Sequence, residues 1–145
     1  MPSKKTALSQ LNKLVGTWRT RGTMLSGPDS GKPSSGSDIY KWLPGNTFLQ
    51  HTWNVRMPDG QRRGIEILGF DPERKTIYAH AYDADGSLTS SRVAFHGNTF
   101  QIVDDQMSFK GRIDKSGTSM SGTWSTTDNA DPIMEVNFTA AGRKV

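Results

Sequence analysis

The chain has 145 residues, long enough for one domain around a single core. It is 33% hydrophobic and 22% charged, carries a net charge of +4 and contains no cysteine. This composition excludes a disulfide scaffold, a thiolate metal site and a thiol nucleophile, and no apolar run is long enough for a membrane-spanning helix.

The opening "MPSKKTALSQL" has lysines but no apolar stretch of the secretory type, and with the missing cysteines it fits a reducing cytoplasm, the expected location. Leu8, Leu11, Leu14 and Val15 follow at helical spacing and predict one short amphipathic helix over 6–15, capped by Thr6 or Ser3 and ended by Gly16. Everything after it reads as strands: 17–25, 37–43, 47–57, 62–70, 76–82, 88–95, 99–104, 107–113, 119–126 and 133–140. Tight-turn residues join them in "PDG", "DPERK", "DADG", "HGN", "DDQ" and "DKSG". The exception is 26–37, "SGPDSGKPSSGS", which has little to bury and is expected to be a flexible loop at a barrel rim. Ten strands joined mostly by hairpins predict an all-β, antiparallel up-and-down barrel over 1–145, because closure removes exposed edges.

Hairpin registers in the second half agree with one another. A turn at Gly97-Asn98 sets Phe95 opposite Phe100 and Val93 opposite Ile102. Turns at Asp105-Gln106 and at "KSGT" then set Ile102 opposite Phe109, Phe109 opposite Trp124 and Ile113 opposite Met120. Met134, Val136 and Phe138 continue the same apolar face, the expected interior.

In the first half, Leu49, His51, Trp53 and Val55 alternate with polar residues and should point inward. Glu66, on the next strand, has two readings. A two-residue turn at Asp59-Gly60 faces it to Trp53 and sends it inward, whereas a three-residue loop beginning at Pro58 sends Ile65 and Ile67 inward instead. The strand "TIYAHAYD" is equally open: either Tyr78, His80 and Tyr82 face the interior, or Ile77, Ala79 and Ala81 do.

"LVGTW" at 14–18 resembles the Gly-x-Trp signature that opens lipocalin and other calycin barrels, and "LPGNTFL" and "GFDPERKTIY" are similar in order to uncharacterised bacterial lipocalin-like domains. The resemblance implies a barrel around a small, mostly apolar molecule, with Trp18 closing its base. Secreted lipocalins usually add a signal peptide and a disulfide, and the related nitrobindins hold haem with a late histidine; no histidine follows His96 here, so neither haem nor any other cofactor is expected.

Three functions follow. The first is binding of a small hydrophobic or aromatic molecule by Tyr40, His51, Trp53, Phe70, Tyr78, His80, Phe95, Phe100, Phe109 and Trp124. The second is acid–base isomerase, cyclase or lyase chemistry with His51 and Glu66 as catalytic groups, helped by a tyrosine. The third is a metal site of His51, Glu66 and His80, a two-histidine, one-carboxylate set. The arginines are scattered along the chain, with one small basic cluster at Arg62 and Arg63, so a nucleic-acid partner is not expected; the chain should be a monomer or homodimer.

Overall fold

The computed structural model describes residues 2–141; Met1 and 142–145, the ends of the expected 1–145 unit, lie outside the described residues. Helix α1 spans Lys4–Asn12, and of the two anticipated caps it is Ser3 whose hydroxyl accepts the Thr6 N–H at 3.2 Å. Ten strands follow: β1 Gly16–Met24, β2 Pro33–Trp42, β3 Leu49–Met57, β4 Gly60–Asp71, β5 Thr76–Asp83, β6 Leu88–His96, β7 Thr99–Val103, β8 Met107–Ile113, β9 Ser119–Thr126 and β10 Pro132–Ala140. Each pairs antiparallel with the next, and β10 returns to β1, so the sheet closes and no strand is left as an edge.

The registers from β6 to β9 are those the sequence predicts, with Phe95 opposite Phe100, Ile102 opposite Phe109 and Phe109 opposite Trp124. Small residues make room for the rings. A Cβ at Gly122 would collide with the tip of the Phe109 ring, and one at Gly111 would lie 2.6 Å from it, so the ring packs against two glycines.

One end is closed. Leu11 and Leu14 pack with Trp18, Leu49 and Leu68 in the core. The Trp18 indole N–H donates to the Leu14 carbonyl at 2.8 Å, Trp42 donates to Asn12 at 2.8 Å, and Lys13 reaches the Gly97 carbonyl at 3.1 Å. The helix and the turn after it thus touch opposite sides of the rim. At the other end the inward-facing Met24, Trp53, Val55, Ala81, Trp124 and Met134 stay half-exposed, so this end is the more open one.

The expected loop over 26–37 is shorter than anticipated. Residues 33–37 belong to β2, with Pro33 opposite Thr23 and Gly36 opposite Thr20 and Val55. The small residues that read as a flexible linker are needed where backbones come close: a Cβ on Gly36 would collide with the Asn54 carbonyl.

The β3–β4 hairpin uses neither anticipated turn. Met57 pairs with Gly60, leaving Pro58 and Asp59 as the two turn residues. Proline suits the first turn position, where its missing N–H costs nothing, and Gly60 takes a φ of 140°, open to glycine alone without strain. Glu66 therefore lies directly opposite His51, and Trp53 lies opposite Gly64.

Candidate functional site

Strand alternation brings four side chains from adjacent strands to one place inside the barrel. Thr20 follows the inward Trp18 on β1, Asp38 precedes the inward Tyr40 on β2, His51 follows Leu49 on β3, and Glu66 precedes Leu68 on β4. His51 Nδ1 is 2.7 Å from Glu66 Oε1 and Nε2 is 2.6 Å from Asp38 Oδ1. The other oxygen of Asp38 accepts the Thr20 hydroxyl. Tyr40 stacks on the imidazole, with ring centres 4.0 Å apart and planes 8° from parallel, and Trp53 tilts against it at 5.6 Å. The Trp53 ring occupies the space a Cβ on Gly64 would need.

This cluster forms a polar wall. Across β6 to β10 the interior is aromatic: Phe95, Phe100 and Phe109 contact one another in series, and Phe109 meets both Trp124 and Phe138. Phe70, near the end of β4, packs against the core and faces Ile77 of β5.

Burial alone would lower the His51 pKa, but hydrogen bonds to Asp38 and Glu66, with their negative charges, outweigh it and raise the value from 6.5 to about 9. The ring is therefore an imidazolium at neutral pH. Burial first, then the charges of Asp38 and Glu66, holds the Tyr40 phenol well above its usual value, so it stays neutral. A folded-state pKa above the unfolded one means stabilisation that is complete below pH 6.5 and lost as pH rises through 9. We expect urea denaturation to show a loss on the order of 2–3 kcal/mol between pH 6 and 9. In His51→Gln that dependence should flatten; an unchanged slope would assign it to other groups.

Both ring nitrogens are committed to carboxylates, so His51 presents no open lone pair to a substrate proton or a metal. The oxygen of the cluster left facing the lumen is Glu66 Oε2, which has no hydrogen-bond partner among the described residues. Any base in this interior would be that atom, with His51 positioning it.

Tyr78 and His80 do not join the cluster, and their assignment to an interior site is corrected. Ile77 and Ala79 are buried inside, whereas His80 is exposed on the outer face, where its Nδ1 lies 3.0 Å from Ser90 Oγ. Tyr78 stands beside His80, over Gly69 and the Phe48 ring. A loop of 72–75 between Asp71 and Thr76 sets this parity and puts Ala79 and Ala81 on the inner face, beside Leu68 and Glu66. The set His51, Glu66 and His80 therefore does not converge, and no group of three or more His, Cys, Asp or Glu side chains among the described residues is placed to hold a metal ion. A cavity of about 690 Å³ lies by Tyr78, His80, Arg74, Arg92 and Asp104, but it opens on the outside and includes no residue of the cluster.

Two members of the cluster, Thr20 and Asp38, escaped sequence reasoning. The signal was present for Asp38: taking Tyr40 as inward places Asp38 inward by the same alternation.

Residues 4–139 match a family model described as a protein of unknown function, DUF1579. The chain is similar in fold to Rv2717c from M. tuberculosis, at 16% identity and a TM-score of 0.61, covering 94% of this chain and 98% of that one. It is also similar to the S-type phycobiliprotein lyase CPES from Guillardia theta, at 8% identity and a TM-score of 0.55, covering 95% and 94%. Both likenesses bear on the fold alone. No curated protein matches the sequence.

Proposed function

The chain belongs to the DUF1579 family, and from the geometry of its interior we propose that it binds a small aromatic or apolar molecule inside the barrel. The observation that carries this reading is the buried Asp38–His51–Glu66 cluster set among aromatic side chains in a barrel open at one end. A buried ion cluster is a poor route to stability, since well-packed apolar residues of similar volume are often as good or better. Buried polar groups converging in an apolar cavity are what orients a bound molecule.

The test uses N-phenyl-1-naphthylamine, a neutral probe whose fluorescence rises in apolar surroundings. Saturable enhancement is expected with the unaltered protein. Ala81 points inward opposite Glu66 and Thr89, so Ala81→Trp should fill the lumen and weaken binding at least tenfold. His80→Ala, on the outer cavity, should leave binding unchanged. Enhancement that is absent, or insensitive to Ala81→Trp, would overturn interior binding.

A further inference from the structure

We propose, resting on that binding reading, that the ligand class is a protonated amine on an aromatic or apolar body, its ammonium placed at Glu66 Oε2. Proton counting gives the charge of the cluster. Each close imidazole–carboxylate contact requires one proton between nitrogen and oxygen, whichever atom holds it. Two carboxylates, one ring stripped of its N–H protons and two bridging protons leave one net negative charge. The Thr20 hydroxyl, a neutral donor to Asp38, does not cancel it.

The described residues supply no cation for that charge beyond His51 itself. Every ion pair of Asp38 and Glu66 is with His51, and no lysine or arginine among the described residues is buried. The Glu66 side chain is only 10% exposed, yet no fully buried polar side-chain atom among the described residues lacks a partner, so Oε2 is reachable from the lumen. An uncompensated charge in such a place is costly, and a cation bound there interacts far more strongly than it would in water.

The surroundings suit an organic cation better than a bare metal ion. Glu66 Oε2 offers one open oxygen, whereas hard metal ions take six or more. An ammonium needs a few acceptors and tolerates π-faces, and the Trp53 indole is tilted against His51 at 5.6 Å and lies over Gly64, two residues before Glu66 on β4. The apolar body would lie toward Phe109 and Trp124, which are in contact at 5.1 Å. Beside Glu66 stands its direct cross-strand partner Ala81, a small side chain on the same inner face.

Three probes with one naphthalene body separate the possibilities: 1-naphthylmethylamine (a cation at pH 7), 1-naphthylmethanol (neutral) and 1-naphthylacetate (an anion). Binding is followed by calorimetry on the unaltered protein and on Glu66→Gln, which keeps the side-chain shape and removes the charge. The cation should bind the unaltered protein at least tenfold more tightly than the alcohol, with the anion weakest. In Glu66→Gln the preference for the cation should disappear while the alcohol binds within about twofold of before. Equal or tighter binding of the alcohol or the anion to the unaltered protein would overturn the amine proposal and leave interior binding standing. A cation preference that survives in a folded Glu66→Gln would likewise overturn it. Binding of none of the three would remove both readings. The comparison on the unaltered protein requires no variant, so a misfolded Glu66→Gln would still leave the proposal exposed to refutation.

Discussion

His51→Ala should destabilise the protein by about 3–5 kcal/mol at pH 7, the range found when one partner of a buried charge pair is removed. The imidazolium sits between Asp38 and Glu66 and donates to both, and no other cation among the described residues pairs with either. Truncation leaves two carboxylates facing one space, which penalises their charged forms. The variant is therefore expected to regain stability on mild acidification, when one carboxyl takes up a proton. The unaltered protein changes in the same direction over this range, because the His51 contribution is complete below pH 6.5 and declines as pH rises towards about 9. The size of the loss in the variant and its rescue by Glu66→Gln are therefore what distinguish the two. Urea denaturation at pH 5.5 and 7.5 checks this. Adding Glu66→Gln to His51→Ala should restore part of the loss at pH 7.5, because it removes one of the two repelling charges. A loss below about 1 kcal/mol in the single variant would show that the cluster is solvated enough to tolerate the gap.

Trp18→Ala should cost a comparable amount, roughly 3–5 kcal/mol, for a different reason. Trp18 is 0% exposed and packs with Leu11, Leu14, Leu49 and Leu68 at the closed end of the barrel. Its indole N–H also ties the turn after α1 to the barrel through the Leu14 carbonyl. Removing the ring creates a cavity between helix and sheet and deletes that hydrogen bond. Trp18→Phe keeps most of the packing and loses the donor, so it should cost less than half as much. Hydrogen exchange of the α1 amides provides the second readout: they should exchange nearer to freely in Trp18→Ala while the β7–β9 amides stay protected relative to the new global stability. A uniform effect across both regions would mean that the helix is not held mainly by Trp18.

The Gly-x-Trp at 16–18 and the helix before it were legible because their signals are local. The apolar residues of the helix repeat at its own period, Ser3 sits where a cap belongs, and Trp18 opens the first strand. The aromatic wall was equally legible. Between 93 and 124 each short turn allows one consistent register, and apolar residues occupy the same face of successive strands.

The polar wall was legible only in pieces. His51 alternates with the plainly polar Gln50 and Thr52, so its direction follows from strand period, whereas Tyr40 has Ile39 beside it and Asp38 on its own face. Glu66 is different, since Ile65 and Ile67 on one face compete with Leu68 and Phe70 on the other, and hydrophobicity does not choose. The β3–β4 turn decided it, through a proline at the first turn position and a glycine with positive φ at the start of the returning strand. His80 and Tyr78 went outward for a similar reason, a four-residue loop whose length sets the parity of β5.

By itself the sequence therefore determined the number and order of strands, the short helix, the aromatic half of the interior and the inward placement of His51. Period-two alternation and turn chemistry act over a few residues and need no knowledge of what lies across the barrel. The tertiary structure alone decided that Asp38 and Glu66 grip His51 from both sides, that Thr20 supports Asp38, and that His80 stands apart on the outer surface. Those outcomes depend on the registers of four neighbouring strands at once, and a one-residue slip in any of them turns a side chain from lumen to solvent.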